Sequence, residues 1–276
     1  MSGKKLDISY ELKREDVENY RANGHVGLRG ILPPDTIVRF RQVIAGAVEQ
    51  RVCLGEIWPE RDDRGRKESL TVMDLRNFSR DVYEFVTARR FAKAAAELMG
   101  VSRVRVLGDF AVFKQAGDKH TRWHQDNNHI VIDTDRTVTM WMPLTEVTEA
   151  MGTMTFISGS QRLTDRARGD AANLRTATRL KLPMYSTGPM NSGDVTFHAG
   201  NTLHMAGENR SGTTREVLTI MYFEDGARFI DPEELPGFEQ SKHRVHAMNG
   251  YSRGDLADGE DFPLVYDADR DGEEKP

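Results

Sequence analysis

Two histidines and one aspartate in this 276-residue chain have the residue types and spacing of a metal site. His124 and Asp126 form a His-x-Asp pair, and His204 lies further along the chain. On an extended segment both side chains of the pair point to one face, because the strand period is two. Two imidazoles and one carboxylate bind non-haem Fe(II) while leaving coordination positions open for other ligands. The pattern therefore predicts an iron-dependent oxygenase.

The distal histidine has two candidates, His198 and His204, which flank a glycine-containing turn. The Asn-Arg-Ser-Gly stretch at residues 209–212 predicts a hairpin that would bring Arg215 into the same cavity as His204. This favours His204, and His198 is expected to be a hydrogen-bonded residue near the end of a sheet. Four further histidines are expected at the solvated surface: His25, His120, His243 and His246.

Arg215 is the residue that a dicarboxylate cosubstrate such as 2-oxoglutarate would need. Its planar guanidinium can form a bidentate, charge-assisted pair with a carboxylate. The alternative is a surface ion pair with a neighbouring acid, Glu208 or Glu216. The spacing of Arg215 alone leaves both possibilities open.

The bulk composition predicts a globular protein that acts on a small molecule. Hydrophobic residues make up 38% and charged residues 29% of the chain, and the net charge is −5. A nucleic-acid binder normally carries a basic surface, so that class is disfavoured. A lone cysteine, no apolar signal region and no long apolar run predict a cytoplasmic protein without a membrane partner. The oligomeric state is not encoded in these features.

Residues 1–102 are predicted to be mainly helical. Apolar residues recur every three or four positions at Ile37, Phe40, Ile44 and Val48, which is typical of a helix with one buried face. A second helix is predicted over 85–99 and should end at Gly100. Residues 55–81 between these helices are charged and poorly periodic, and such a long loop is either a lid over an active site or an excursion from the fold.

Residues 103–225 are predicted to form a β core. Short β-branched and aromatic runs alternate with turn signals, which favours antiparallel sheets of jelly-roll type in an α+β chain. The predicted strands are 104–113, 129–132, 137–144, 153–157, 194–197 and 217–223. A polar insert spans 162–182, and 226–276 is expected to be a C-terminal extension of the same single domain.

Several motifs occur in the order found in one known family, and the chain resembles the phytanoyl-CoA dioxygenase-like Fe(II)/2-oxoglutarate oxygenases. The likeness runs through most of the chain. The motifs are NGHVGL at 23–28 with the following Pro-Pro helix, WHQD at 123–126, WMPL at 141–144, MGTM at 151–154, ISGS at 157–160, GDVTFH at 193–198, LH at 203–204, NRS at 209–211 with Arg215, and FPLVY at 262–266.

This resemblance implies a double-stranded β-helix (a jelly-roll or cupin-like core) with N-terminal helices packed on the outside. It implies Fe(II) bound by His124, Asp126 and His204, with Arg215 binding the distal carboxylate of 2-oxoglutarate. Trp141 would line the cosubstrate pocket, or else serve as a core residue. The chain departs from the family at SGSQ, residues 158–161, where Pro-Gly-Ser-His is usual, and at Ala150-Met151, where Glu-Asn is common.

The implied reaction uses O2 to oxidise an unactivated C–H bond of a small organic metabolite, with release of succinate and CO2. Related halogenases replace the metal-binding carboxylate with a small residue to make room for chloride. Asp126 is present here, which favours hydroxylation over halogenation. A specialised metabolite is the first expectation for the substrate and an acyl-CoA the second. Asn127 and Asn128 could donate hydrogen bonds to it, although asparagines in a turn are a common alternative.

Three other outcomes stay open at this point. The same scaffold could catalyse desaturation, epimerisation or cyclisation, because the pose of the substrate selects among them. A metal-dependent hydrolase or isomerase could use the triad for Lewis-acid chemistry without 2-oxoglutarate. The chain could also be an inactive binding protein, although such a protein has no chemical need for the triad and the arginine together.

Overall fold

Helices form much of the first hundred residues, and strands dominate beyond them. The computed structural model describes Leu6 and residues 10–55, 69–235 and 250–271. The helices in these ranges are α1 (Arg14–Asn23), α2 (Pro34–Cys53), α3 (Arg80–Val86), α4 (Arg89–Met99), α5 (Gly169–Arg179) and α6 (Ala268–Asp271). None of them is long and apolar enough to cross a membrane.

The strands form two antiparallel sheets. They are β1 (His25–Leu28), β2 (Leu70–Met73), β3 (Arg103–Lys114), β4 (Thr121–His124), β5 (Thr137–Pro143), β6 (Met154–Ile157), β7 (Met184–Ser186), β8 (Val195–Ala199), β9 (His204–Ala206), β10 (Arg215–Glu224) and β11 (Leu264–Asp267). The larger sheet has seven strands in the order β1-β8-β5-β10-β3-β11, with β2 also paired to β3. The smaller sheet has the order β4-β9-β6-β7. The predicted double-stranded β-helix with outer helices is confirmed.

Alternation along the central strands gives the larger sheet one apolar face and one polar face. Val138, Met140 and Met142 of β5 pack in the same core as the helices, through residues such as Phe40 and Phe91. The intervening residues of β5 include two threonines, Thr137 and Thr139, which are as completely buried. Because successive side chains of a strand point to opposite faces, these threonines face the smaller sheet. The space between the sheets therefore contains polar groups, beside an apolar cluster that includes Trp141.

Most predicted strands are found within a few residues of their expected bounds, but three local predictions were wrong. Residues 129–132 do not form a strand, because the Asp126–His129 segment closes into a 3-10 turn. The hairpin expected after His204 does not form, since β9 and β10 belong to different sheets. The helix expected over 85–99 is two helices, α3 and α4, although it does end at Gly100 in a left-handed conformation with φ 71°.

The two segments without strong periodicity contain regular structure as well. Part of the predicted 55–81 loop is strand β2, paired with β3, while residues 56–68 lie outside the described ranges. The polar insert forms α5, whose Ala177 packs with Ile157 and Leu203 on the outer face of the smaller sheet. In the C-terminal part, Phe229 and Phe262 share a core cluster with Ile130.

The outer helices should contribute much of the stability of the larger sheet. Phe85 of α3 is fully buried, with its ring centroid 4.4 Å from that of Phe40 and 5.2 Å from that of Phe91. We expect Phe85→Ala to lower the free energy of unfolding by about 3–5 kcal/mol, because it removes buried aromatic surface and leaves a cavity. Chemical denaturation measures this change. Tyr83→Ala, on the exposed side of the same helix, should cost less than about 1 kcal/mol, and equal losses would contradict this packing.

Candidate active site

The predicted triad converges at one point between the two sheets. His124 and His204 are directly opposite each other in the pairing of β4 with β9. Asp126 follows at the start of the 3-10 turn, and its Oδ1 lies 3.6 Å from the Nε2 atom of each imidazole. One possible ligand atom from each of the three residues lies within 4.8 Å of the others. An ion bound there would have two nitrogens and one oxygen on one side.

Backbone carbonyls hold both imidazoles in the form that binds a metal. Nδ1 of His124 lies 2.8 Å from the carbonyl oxygen of Arg122, and Nδ1 of His204 lies 2.9 Å from that of Thr202. A carbonyl oxygen only accepts hydrogen bonds, so each Nδ1 carries the proton and donates it. In the neutral ring this leaves the lone pair on Nε2, the atom that faces Asp126 in both histidines. This arrangement fits an Fe(II) site, in which ligating histidines donate their other ring N–H to an oxygen.

Burial and mutual charges keep His204 and Asp126 in the protonation state that binds a metal. Burial, together with the neighbouring imidazoles of His124 and His198, lowers the pKa of His204 well below its usual value, so that the ring is neutral at neutral pH. Burial opposes ionisation of Asp126, but His204, His198 and His124 outweigh it and hold the pKa of that carboxyl well below its usual range. Thr139 of the larger sheet donates a hydrogen bond of 2.6 Å to Asp126 Oδ2.

His198, the penultimate residue of β8, lies beside the triad. It is 1% exposed, and its Nε2 atom is 3.2 Å from Asp126 Oδ2. Its ring centroid is 4.2 Å from that of His204. His198 thus faces the triad from the larger sheet. The two other ligand candidates, His124 and His204, come from the smaller one.

His25 was expected at the surface, but it is buried in β1 of the larger sheet, directly opposite His198 of β8. Its Nε2 atom lies 2.8 Å from Ser158 Oγ, and its ring stacks on Phe156 with centroids 4.6 Å apart. Burial, and then the nearby His198, lowers the pKa of His25 to about 4. Ser158 belongs to the SGSQ segment, where a departure from the resembled family was noted.

Helix α5 holds the metal-binding segment from outside. Asp170 Oδ1 accepts hydrogen bonds from the backbone N–H of Gln125 (2.9 Å) and from the side-chain amide of Asn128 (2.6 Å). Asn173 of the same helix donates a bond of 2.7 Å to the Gln125 side chain. These contacts fix the residue between His124 and Asp126. No local sequence signal indicates them, because the partners come from the polar insert.

Asn127 and Asn128, predicted to contact substrate, are both buried. Asn127 accepts a short hydrogen bond from Thr137, while its amide nitrogen has no partner within the described part of the chain. The outward-facing residue of this turn is His129, with a half-exposed side chain and a ring centroid 6.2 Å from that of His124. Substrate contact by the two asparagines stays a prediction.

Arg215 is buried in the same interior as the triad. It is 1% exposed, its Nη1 donates to the carbonyl of Gly152, and its Nε has no hydrogen-bond partner in the described ranges. Its Cζ lies 5.5 Å from the centre of the Trp141 ring. Burial lowers the pKa of Arg215 to about 10, which keeps it cationic at neutral pH.

The surface ion pair considered as an alternative for Arg215 does not form. Glu216 pairs with Arg41 at 2.7 Å, and Glu208 lies 3.7 Å from Lys119. A buried guanidinium with an unpartnered N–H fits an anionic ligand, because burying a charge is costly without a partner. Arg215 can therefore bind the carboxylate of a cosubstrate.

The carbonyl that binds Arg215 is positioned by a close contact between two glycines. Gly152 has φ 81°, and a Cβ atom there would come within 2.2 Å of the Gly207 carbonyl oxygen. Only glycine permits both the conformation and the approach. The contact joins the segments that follow β9 and precede β6 in the smaller sheet.

The fold and the site define a class, a double-stranded β-helix with a two-histidine, one-carboxylate centre. The chain belongs to the phytanoyl-CoA dioxygenase (PhyH) family, whose model matches residues 20–217. This match covers both metal-binding segments and Arg215. The family assigned by resemblance is thereby confirmed. No curated protein matches the chain.

Solved structures of similar fold come from several non-haem iron enzymes. The α-ketoglutarate-dependent carbocyclase SnoK from nogalamycin biosynthesis is 25% identical, with a TM-score of 0.78 over 92% of this chain and 97% of that one. The epimerase SnoN, in complex with Fe3+, α-ketoglutarate and nogalamycin RO, is 24% identical, with a TM-score of 0.74 over 91% and 97%. EctD from S. alaskensis, with 2-oxoglutarate and 5-hydroxyectoine, is 16% identical, with a TM-score of 0.67 over 82% of each chain.

The contacts from α5 should matter for metal affinity. We expect Asp170→Ala to weaken binding of Mn(II) or Fe(II) about 10- to 100-fold, because the oxygen that accepts hydrogen bonds from Gln125 and Asn128 is lost. Anaerobic isothermal titration calorimetry measures the affinity. Arg179→Gln changes an exposed residue of the same helix and should bind metal as the wild type does. Equal affinities of the wild type and Asp170→Ala would show that α5 does not position the site.

Proposed function

We propose that this protein is an Fe(II)/2-oxoglutarate-dependent dioxygenase that hydroxylates an unactivated C–H bond of a small organic metabolite. One observation supports this above the others. The Nε2 atoms of two histidines and an ionised carboxylate meet in the same interior as a buried arginine that forms no ion pair with a carboxylate in the described ranges. The first group suits Fe(II), and the arginine suits the far end of a dicarboxylate.

In this proposal each residue has a specific role. His124, Asp126 and His204 bind Fe(II), Arg215 binds the distal carboxylate of 2-oxoglutarate, and Trp141 forms a wall of that pocket. Bound Fe(II), with 2-oxoglutarate and O2, supplies the oxidising power to remove a hydrogen atom from the substrate, with release of succinate and CO2. The protein itself contributes ligands, orientation and exclusion of water.

The solvent exposure of the two histidine side chains indicates the side from which the substrate reaches the site. The His124 side chain is 26% exposed, whereas that of His204 is 6% exposed. His129 lies next to His124 on this open side, and its Nε2 is 3.5 Å from Asp170 Oδ2. We therefore place the substrate over His124 and His129. Asn127 would donate from its amide nitrogen, which has no hydrogen-bond partner in the described ranges. Asn128 would contribute indirectly, through its hydrogen bond to Asp170.

A specialised metabolite is the preferred substrate class, with an acyl-CoA second. Support comes from SnoK and SnoN, both from nogalamycin biosynthesis. The net charge of −5 also gives no general attraction for a polyanionic carrier.

Ring closure or epimerisation is the second candidate, and one comparison favours it. The carbocyclase SnoK matches 92% of this chain, and the fold likeness extends to the epimerase SnoN. Each outcome begins with removal of a hydrogen atom, and the position of the substrate then selects the product. Mass spectrometry separates them, because hydroxylation adds one oxygen, cyclisation or desaturation removes two hydrogens, and epimerisation leaves the mass unchanged.

Succinate production tests the proposal directly. A library of small metabolites is incubated with the Fe(II)-loaded protein, 2-oxoglutarate and O2, and substrate-stimulated succinate is measured. We expect turnover with at least one metabolite, and none with His204→Ala, which removes a metal ligand. A metal-loaded wild type that neither binds 2-oxoglutarate nor releases succinate would overturn the proposal.

Arg215 distinguishes this function from metal-dependent chemistry without 2-oxoglutarate. We expect Arg215→Gln to raise the KM for 2-oxoglutarate at least about thirtyfold, since losing one partner of a buried charged pair costs about 2 kcal/mol or more. Metal affinity should stay near that of the wild type. Full activity of Arg215→Gln without added 2-oxoglutarate would favour a Lewis-acid hydrolase or isomerase. A wild type that binds neither metal nor 2-oxoglutarate would favour an inactive binding protein.

A further inference from the structure

A second buried cation lies beside Arg215. Lys114, the last residue of β3, is directly opposite Arg215 in the pairing of β3 with β10. Opposite residues of an antiparallel pair point to the same face with their Cβ atoms about 4.5–5.5 Å apart. Lys114 is 0% exposed, and Arg215 is 1% exposed. Two positive charges are thus buried side by side.

The hydrogen bonds of Lys114 go to neutral oxygens and not to a carboxylate. Its Nζ donates to Thr121 Oγ1 at 3.2 Å and to the Gly207 carbonyl at 3.0 Å. Both acceptors are neutral, and no ion pair forms with a carboxylate in the described part of the chain. A buried charge is costly unless it is paired, and two like charges increase that cost.

The positions of both cations are fixed by the chain around them. Asn209 donates one hydrogen bond to the Lys114 carbonyl and another to the Thr213 carbonyl, each of 2.8 Å. This ties the end of β3 to the turn that leads into Arg215. A flexible surface lysine would simply turn to solvent, whereas Lys114 is held in place at both its backbone and its ammonium.

We propose that Lys114 binds the distal carboxylate of 2-oxoglutarate together with Arg215, and that this makes cosubstrate binding take up a proton. The inference rests on the proposed function and adds a positioning residue and a pH dependence to it. The dianionic ligand supplies the missing negative charge. Neither the metal-binding motif nor the arginine indicates this role.

The charges around Lys114 set the direction of the pH dependence. Burial first, and then the positive charge of Arg215, lowers the pKa of the Lys114 ammonium to about 7, while Asp118 and Glu208 oppose the shift. Asp118 belongs to the turn after β3, and Glu208 to the segment after β9. Near neutral pH the lysine of the free protein is therefore partly neutral.

A bound carboxylate favours the charged lysine and raises its pKa. Above about pH 7 the lysine must then gain a proton from solvent for tight binding, so affinity falls as pH rises. Below that pH it is already protonated, and affinity should not depend on its titration. Above about pH 7 the Kd should rise by nearly tenfold per pH unit, until the pH reaches the pKa of the lysine in the complex.

Calorimetry on the Mn(II)-loaded protein tests this without turnover. 2-Oxoglutarate is titrated at pH 6 and pH 8 in two buffers of different ionisation enthalpy. We expect uptake of about one proton at pH 8 and little at pH 6. The control ligand is 2-oxopentanoate, a 2-keto acid with a methyl group where 2-oxoglutarate has its distal carboxylate. It should bind without proton uptake at either pH.

Variants of Lys114 provide a second test of the proposal. Lys114→Met should raise the Kd for 2-oxoglutarate at least about tenfold at pH 6.5 and remove the pH dependence, while leaving the Kd for 2-oxopentanoate unchanged. Lys114→Arg should retain affinity and lose the pH dependence, because its charge does not titrate. Lys119→Met removes an exposed lysine from the adjacent turn and should behave as the wild type does.

The possible outcomes separate this inference from the proposed function. If the wild type binds 2-oxoglutarate without proton uptake, or takes up the same proton with 2-oxopentanoate, the role of Lys114 is overturned and the proposed function stands. If the metal-loaded wild type does not bind 2-oxoglutarate at all, both are overturned. The calorimetry of the wild type decides even if Lys114→Met fails to fold.

Discussion

Charged groups buried between two sheets are the constraint on which this structure depends. The outer face of the larger sheet is apolar and covered by helices, so polar residues of β5, β8 and β10 have to face the smaller sheet. In that interior each ionisable group needs a partner. Asp126 has imidazoles and the Thr139 hydroxyl around it. Arg215 and Lys114 donate hydrogen bonds only to neutral oxygens, although Asp118 lies near enough to raise the pKa of both. The imbalance is what an anionic ligand would remove.

The two parts of the site are related by their electrostatics as well as by the ligand they would share. A divalent cation at the triad and a dianion between it and Arg215 nearly cancel each other's charge, so either should bind more readily when the other is present. Without both, neither Arg215 nor Lys114 has a hydrogen-bonded carboxylate in the described part of the chain. Burial, and then the positive charge of Arg215, lowers the pKa of Lys114 to about 7, so this lysine can change its charge near neutral pH.

The sequence predicted the parts of the site that lie within ordered motifs. His-x-Asp, the distal His204 and Arg215 were found because their residue types are tied to metal and carboxylate chemistry. Lys114 and Asp170 were not, because their positions arise from strand register and from a helix that covers the outer side of a sheet. His25 was misassigned for the same reason, since it is buried through the pairing of β1 with β8. Hydrophobic patterns predict strands and helices, but they do not specify which strand lies beside which.

The separation of the sheets connects core packing to chemistry. His124 and His204 belong to the smaller sheet, whereas Arg215 and Lys114 belong to the larger one. A cosubstrate that reaches from the metal to both cations must match the gap between the sheets. Trp141, Met154, Phe156 and Val217 form a buried cluster drawn from both sheets, and they therefore act as spacers. Trp141 lies in this cluster and also beside the Arg215 guanidinium, so its position is compatible with both the core role and the proposed pocket wall. A substitution that changes the size of a side chain in this cluster should therefore change the distance between the triad and the two cations.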